Sequence, residues 1–223
     1  MGRAPLFLLE RLVSQGGGLI FTAILVRMAE AEEAAAFLAA FALAGVFQPM
    51  LSSAVQPLAA RLLKDRGTPG FQTLWAAMQG LAIVLIAPLI CLSEGAAAVV
   101  LLHALAAPCL LMATPLAATD RWRRLGWTLV AVTFVGAALR VGALWLTGDI
   151  ALAAWLFLVE PLIGGGVLAM ASTAHVAPRL CAIGRADCKD AVVLISSMGM
   201  TSLFWRSPVL IAAMTMGAEA VIA

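Results

Sequence analysis

The chain has 223 residues, of which 63% are apolar and 12% are charged, about half the charged share of a soluble domain. Its mean hydropathy of +1.04 indicates more apolar surface than a soluble fold of this length can bury. Its formal net charge of +2 is too small for the basic excess of nucleic-acid-binding proteins. These values predict an all-α integral membrane protein and exclude disordered, collagen-like and disulfide-stapled chains.

Seven stretches of the sequence are predicted to span a membrane, because a spanning helix needs about 20 mostly apolar residues. In chain order they are 5–27, 34–57, 72–92, 95–117, 125–147, 151–175 and 191–214. The first carries Glu10 and Arg11 where a secretion signal would be uninterrupted, so we expect it to be retained as a helix. Short turns between successive spans predict three helical hairpins and one additional helix.

Lysine and arginine lie mostly on one side of this arrangement. The N-terminus and the connections after the second, fourth and sixth spans hold ten of them: Arg3, Arg61, Lys64, Arg66, Arg121, Arg123, Arg124, Arg179, Arg185 and Lys189. The opposite connections and the C-terminal tail hold only Arg27, together with six acidic residues. The positive-inside rule therefore predicts a multi-pass protein of the cytoplasmic (inner) membrane with its N-terminus in the cytoplasm.

Polar residues form a stripe on each of the first two predicted helices. The stripe on the first helix comprises Arg11, Ser14, Gln15, Gly18 and Thr22, and the stripe on the second comprises Gln48, Ser52 and Gln56. Helical spacing places the members of each stripe on one face. Two interpretations remain open: the stripes line a shared, substrate-binding cavity that opens toward the cytoplasm, or they hydrogen-bond the two helices to each other.

Ionisable residues inside a span cost about 2.5–3.5 kcal/mol each and need a partner or a wet environment. Arg140 and Glu160 lie at similar depths in the fifth and sixth spans, which favours an ion pair. Pro161 disturbs the helix beside Glu160, so this carboxylate is alternatively a proton or cation coupling site. Arg206, in the middle of the seventh span, is expected to face a cavity, where a guanidinium suits a phosphate or pyrophosphate.

Motifs for enzymatic chemistry are absent from the sequence, which contains no P-loop, no Gly-x-Ser-x-Gly element and no paired metal motif. His175, Cys181 and Cys188 are too loosely spaced for a good metal site. We therefore expect no catalytic residues, no metal and no cofactor, and a transport or scaffold role.

Several segments carry a family resemblance. Residues 9–11 (Leu-Glu-Arg), 24–27 (Ile-Leu-Val-Arg) and 57–61 (Pro-Leu-Ala-Ala-Arg) resemble the first hairpin of Wzx-like polysaccharide flippases, members of the multidrug/oligosaccharidyl-lipid/polysaccharide exporter superfamily. Residues 204–221 are similar to the seventh helix of these flippases and the start of the eighth. The chain departs from the family in the turn at 28–33, which lacks the usual glycine, and at Ser207-Pro208, where an acid is common.

The resemblance implies one lobe of a two-lobe exporter. Residues 1–189 would form the N-terminal six-helix lobe, and 190–223 the seventh helix and the start of a missing second lobe, so that the chain is either a truncated product or one half of an assembly with a second half-transporter or a second copy. The implied function is the flipping of a lipid-linked, anionic saccharide across the membrane by alternating access. By position, Arg11 and Arg206, and thirdly Arg27, match the residues that attract the pyrophosphate.

Two other functions remain open. A half-transporter that does not transport on its own would act as an assembly subunit or persist as a remnant. A cation-coupled multidrug exporter of the same fold would depend on Glu160. The expected partners are the lipid bilayer and the lipid-linked saccharide, with no nucleic acid.

Overall fold

The computed structural model describes residues 3–118, 122–171 and 181–215, and within these ranges the chain is helical and contains no strand. The helices are α1 (Arg3–Met28), α2 (Ala31–Leu51), α3 (Gln56–Cys91), α4 (Gly95–Leu105), α5 (Ala113–Ala118), α6 (Trp122–Thr147), α7 (Ile150–Trp155), α8 (Gly164–Ala171) and α9 (Arg185–Thr215). Short 3₁₀ or π segments connect some of them, at Ser53–Val55, Ala107–Met112, Leu156–Leu158 and Val159–Ile163. The predicted all-α fold class is confirmed.

Five stretches of the described chain are helical, long and apolar enough to cross a membrane, as a multi-pass membrane protein requires. They are Leu8–Met28, Ala31–Cys91, Gly95–Pro115, Leu125–Thr147 and Ile150–Val167. The second is 61 residues long and contains the second predicted span and all but the last residue of the third. The seventh predicted span lies on α9, which is not among the five, since polar residues and Arg206 interrupt its apolar sequence.

The long helix α3 is broken at Gly67. The backbone there has φ 66° and ψ −159°, a conformation that glycine adopts readily and other residues avoid. Pro69 follows two residues later and disfavours a helical conformation for the residue before it. The break separates the first part of α3, up to residue 66, from the part that holds the third predicted span.

Glycines 164 and 165 bring the start of α8 close to two other helical segments. A β-carbon added at Gly165 would lie 2.7 Å from Cβ of Cys109, and one at Gly164 would lie 3.0 Å from a methyl group of Val132. The backbone just before them takes the π form at Val159–Ile163, where Pro161 lacks the amide hydrogen of a regular helix. The sixth predicted span thus reaches the fourth and fifth through positions that have no side chain.

Helices that are neighbours in sequence are not always packing partners. α1 packs mainly against α6 and makes few contacts with α2, although a short turn joins α1 to α2. α2 packs instead against α4 and α9. The first predicted hairpin is therefore splayed apart, and the space between its two helices is available for other groups.

An aromatic cluster fills the bundle at one end of this space. Phe157 lies at its centre, with ring centroids 5.4 Å from Phe21, 5.9 Å from Phe37 and 5.3 Å from Phe41. These rings belong to the largest buried core, which α1, α2, α3, α4, α6 and α7 all help to form. The aromatic cluster closes the space between α1 and α2 near the turn that joins them.

A charged cluster links the start of α9 to the first part of α3. Asp187 accepts hydrogen bonds from Arg61 and from Arg66, each at 2.8 Å, and Asp190 accepts one from Arg61 at 2.7 Å. Arg66 also donates to the carbonyl oxygen of Ala182. These contacts join the start of α9 to the first part of α3, and α9 also packs against α2.

Candidate functional site

A polar cavity of about 350 Å³ lies in the space between α1, α2, α6 and α9. Its polar and charged lining consists of Glu10, Ser14, Gln48, Ser52, Ser53, Gln56, Thr128, Thr133, Glu160 and Arg206. The cavity is level with the first half of α1 and the last half of α2, so it lies on the side of the aromatic cluster away from the α1–α2 turn. Its position is the direct consequence of the splayed first hairpin.

The segment 48–56, which includes the end of α2 and its junction with α3, supplies four of the ten polar lining residues. The hydroxyl of Ser52 donates to the carbonyl oxygen of Gln48 at 2.7 Å, one turn back along the helix. Pro49 has no N–H, so the carbonyl of Gly45 loses the amide donor that a regular helix would provide. The cavity wall therefore offers hydrogen-bond acceptors and hydroxyl groups.

Arg206 brings a positive charge to the cavity from α9. Its side chain lies against α2: a β-carbon added at Gly45 would be 3.0 Å from Nε, and the guanidinium carbon is 5.9 Å from the centre of the Phe41 ring. Arg206 makes no ion pair with any residue in the described part of the chain. A half-buried guanidinium of this kind is suited to bind an anion.

Arg140 and Glu160 meet at the deep end of the cavity. Nη1 of Arg140 lies 3.4 Å from Oε2 of Glu160, and the guanidinium carbon lies 4.4 Å from the centre of the Phe157 ring. Nδ1 of His103 is 2.8 Å from the carbonyl oxygen of Phe157, which can only accept, so this nitrogen carries the hydrogen. Arg140 and His103 are both buried, and they form a polar layer between the cavity and the aromatic cluster.

A second hollow of about 100 Å³ adjoins the main cavity in this layer. Three residues, Ser14, Gln48 and Glu160, line both spaces. The carboxylate of Glu160 is compensated by Arg140, and Glu10 at the other end of the cavity also has an interaction partner. Arg206 is the cation in the described lining of the main cavity, and it has no ion pair with another described residue.

The structure brings together most of the residues that the sequence singles out. Ser14, Gln48, Ser52, Glu160 and Arg206 line the main cavity. Arg140 lines the adjoining hollow. Helices α1, α2, α6 and α9 and the segment around Glu160 supply them, so the site is assembled from residues far apart in the chain.

Two candidate residues on α1 differ from this group. Gln15 is exposed and is not part of the cavity lining, because adjacent residues point about 100° apart around a helix and Ser14 already faces the cavity. The substrate-binding role of Gln15 stays a prediction. Arg11 is a residue of α1, but its side chain lies outside the described part of the structure.

Sequence reasoning missed two hydroxyls on α6. Thr128 and Thr133 both line the cavity, and Thr133 is only 2% exposed. Single threonines in an apolar helix are common, so no stripe marks them. His103 has no polar neighbours in the sequence that would mark it, and its hydrogen bond to the carbonyl oxygen of Phe157 forms only in the folded structure.

Within the described ranges, no group of three or more His, Cys, Asp or Glu residues is placed to hold a metal ion. No family model matches the chain, and comparison with curated proteins and with solved structures gives no match either. A functional proposal therefore depends on the cavity and on the sequence pattern.

Proposed function

We propose that this chain is a lobe of a membrane transporter that binds the phosphate-bearing head of a lipid-linked saccharide and moves it across the cytoplasmic membrane by alternating access. The observation that carries the proposal is the guanidinium of Arg206, which has no ion pair within the described part of the chain and shares one cavity with Ser14, Gln48 and Ser52. A cation suits the phosphates of such a lipid, and the amide and hydroxyl groups suit its sugar. The resemblance of the first and seventh predicted helices to polysaccharide flippases supports the same function.

The proposed topology has seven spans with the N-terminus in the cytoplasm. The break at Gly67 divides the 61-residue apolar stretch into two spans, and α9 supplies the seventh. In this topology the cavity faces the cytoplasm and the aromatic cluster closes the outer side, which corresponds to an inward-facing state. Lipid-linked saccharide precursors would enter from that side.

The size of the cavity limits what it holds. A volume of about 350 Å³ is near the lower end of the range of about 300–1,000 Å³ for small-molecule sites. It accommodates a diphosphate and an adjacent sugar, whereas a longer saccharide would extend into the cytoplasm or toward a second lobe. A second half-transporter or a second copy of this chain would supply that lobe.

Binding of a long-chain polyprenyl diphosphate to the purified protein in lipid nanodiscs tests the proposal. Removing a hydrogen bond between charged groups costs about 1.5–3 kcal/mol, so Arg206→Ala should weaken binding about 10- to 100-fold. Arg206→Lys should retain part of the affinity, and Lys64→Ala, which changes an exposed cation outside the cavity, should match the wild type. Equal affinities for Arg206→Ala and Lys64→Ala would refute the proposal.

One observation favours a second candidate function, the cation-coupled exporter. Glu160 lines both the main cavity and the adjoining hollow, so its carboxylate is accessible to a proton or a cation as well as to Arg140. In such an exporter Glu160→Gln would abolish drug efflux driven by a proton or sodium gradient. Efflux that survives this substitution would remove the candidate.

A further inference from the structure

The fourth predicted span is interrupted near its middle. Between α4 and α5 the backbone forms a 3₁₀ helix of six residues, Ala107–Met112. Runs of this form longer than about three or four residues are uncommon, and one inside a longer helix often marks a functional hinge. Pro108 explains where the interruption begins, because it has no N–H to offer the carbonyl of Ala104.

Gln79 of α3 replaces a hydrogen bond that α4 loses at this interruption. The N–H of Cys109 donates to the carbonyl oxygen of Ala106 at 3.0 Å, so it is not the donor that a regular helix would give to the carbonyl of Leu105. Nε2 of Gln79 donates to the carbonyl oxygen of Leu105 instead, at 3.1 Å. In a continuous α-helix Cys109 would occupy this acceptor, so the hydrogen bond from Gln79 favours the 3₁₀ form.

The 107–112 segment also borders the candidate site. Leu110 of this segment and Ala113, which follows it, line the main cavity. The segment packs against α8 and against the π segment that carries Glu160. The 3₁₀ form rises about 2.0 Å and turns about 120° per residue, against about 1.5 Å and 100° in an α-helix, so rewinding six residues would shorten the segment by about 3 Å and change its rotation by about 120°. The form of this segment therefore determines the cavity wall.

Some polar groups beside the interruption are not satisfied. Oε1 of Gln79 and Oγ1 of Thr114 are buried and have no hydrogen-bond partner among the described residues. Buried polar atoms normally have one. The 3₁₀ arrangement is thus not held by a complete set of side-chain hydrogen bonds, which gives the bond from Gln79 to Leu105 more weight in maintaining it.

We propose that Gln79 is a positioning residue, which holds the 107–112 segment in its 3₁₀ form and thereby keeps Leu110 and Ala113 in the cavity wall. It acts through the carbonyl of Leu105 and does not touch the ligand. Without this hydrogen bond the segment rewinds toward the α form and the wall turns away from the cavity. This proposal rests on the proposed function and adds to it the residue that sets the shape of the site.

Two unrelated substitutions should shift the segment in the same direction. Gln79→Leu removes the donor and keeps a side chain of similar volume. Pro108→Ala supplies an N–H for the carbonyl of Ala104 and favours the α form while leaving Gln79 in place, so it also serves if the first variant does not fold. Ala77→Leu is the control, since it adds a leucine at an exposed position of α3. Circular dichroism and thermal unfolding in lipid nanodiscs check the folding of each variant.

The first measurement needs no ligand. It is the rate at which N-ethylmaleimide modifies Cys109 in protein whose other three cysteines are replaced by serine. Cys109 packs against the start of α8, and rewinding would turn its side chain away from this contact. The rate should rise about 3- to 10-fold in Gln79→Leu and in Pro108→Ala, the shift in equilibrium that one hydrogen bond supports, and should not change in Ala77→Leu.

The second measurement is binding of the polyprenyl diphosphate. Gln79→Leu and Pro108→Ala should each weaken it by the same factor of about 3 to 10, because less of the protein has the binding form of the wall. Ala77→Leu should bind like the wild type. A residue that contributes only to stability would lower the unfolding temperature without changing the reactivity of Cys109.

The two measurements separate this proposal from the proposed function. Unchanged reactivity of Cys109 in both Gln79→Leu and Pro108→Ala overturns the proposal, whatever their stability or affinity. Faster modification with wild-type affinity also overturns it, since the segment would then not set the binding site. If Arg206→Ala binds the ligand as tightly as the wild type does, the proposed function fails and the positioning of its site by Gln79 fails with it, even where Cys109 reacts faster.

Discussion

The side chains of Arg140 and Glu160 lie 3.4 Å apart between the polar cavity and the aromatic cluster. Arg140 comes from α6 and Glu160 from the π segment before α8, so the pair joins two helical segments as well as two charges. The Arg140 side chain is 9% exposed and the Glu160 side chain 19% exposed, which places the pair where unpaired charges are costly.

Breaking this pair should destabilise the protein. Glu160→Gln leaves the Arg140 guanidinium without its carboxylate, and removing one partner of a buried pair costs about 3–5 kcal/mol, with the lower end expected here because Glu160 also borders the cavity. Unfolding by sodium dodecyl sulfate in mixed micelles measures the loss. Glu94→Gln, at an exposed acid in a turn, should show no change. Equal stability of the two variants would show that the pair contributes nothing.

Gly45→Ala should weaken ligand binding without loss of stability. The added β-carbon lies 3.0 Å from Nε of Arg206, so the guanidinium must shift by a few tenths of an ångström, while the alanine itself favours the helix by about 0.5–1 kcal/mol. Isothermal titration with the polyprenyl diphosphate should show a loss of affinity of less than about tenfold. Gly80→Ala is the control on an open helical position. Unchanged binding in Gly45→Ala would mean that the position of Arg206 is not critical.

Replacement by alanine should destabilise the protein at Gly165 and stabilise it at the adjacent Gly166. Gly165→Ala places a β-carbon 2.7 Å from Cβ and 3.0 Å from the backbone oxygen of Cys109, and overpacking of this kind costs about 1–3 kcal/mol. Gly166→Ala meets nothing within 4 Å and should stabilise α8 by about 0.5–1 kcal/mol. Thermal unfolding of the two variants side by side tests the close approach of α8 to the 107–112 segment. A Gly165→Ala protein as stable as Gly166→Ala would contradict it.

The charged cluster at the start of α9 should depend more on Asp187 than on Asp190. Asp187 accepts hydrogen bonds from two arginines and its side chain is 12% exposed, whereas Asp190 accepts from Arg61 alone and is 48% exposed. Asp187→Asn should therefore lower the Tm more than Asp190→Asn, and high salt should reduce the difference because it screens exposed charges. Asp65→Asn, an exposed acid on α3, is the control. A larger loss of Tm in Asp190→Asn than in Asp187→Asn would show that the cluster does not hold α9.

Helical periodicity was sufficient to find most of the candidate site. Ser14 on α1 and Gln48 and Ser52 on α2 are polar positions on apolar helices, and the cost of leaving such groups in lipid directs them inward. The same argument does not resolve single residues: Gln15 is adjacent to Ser14 yet points away from the cavity. The periodicity identifies a face about 100° wide, and the packing partner determines which part of that face is enclosed.

The sequence predicts the end of a span well where the apolar stretch ends in a turn, as at Gly148. It predicts the end less well where a helix continues beyond the apolar stretch. The 3₁₀ turn Ser53–Val55 joins α2 to α3 without a loop, and the apolar stretch continues through the break at Gly67, so α2 and α3 form one 61-residue stretch by length and composition. Helix α9 begins at Arg185, several residues before the apolar stretch that was predicted to span the membrane. This additional polar part of the helix places Asp187 beside Arg61 of α3.

The amino-acid order alone was enough to establish that the chain is helical and strongly apolar, and which faces of its helices are polar, because these properties follow from local composition and a period of 3.6 residues. It was not enough to establish which helices meet. That α1 packs on α6 and α2 on α9, leaving a cavity inside the first hairpin, depends on close approaches such as Gly17 to Ala137 and Gly45 to Arg206. Contacts between residues so far apart in the chain leave no periodic pattern, so only the folded arrangement reveals them.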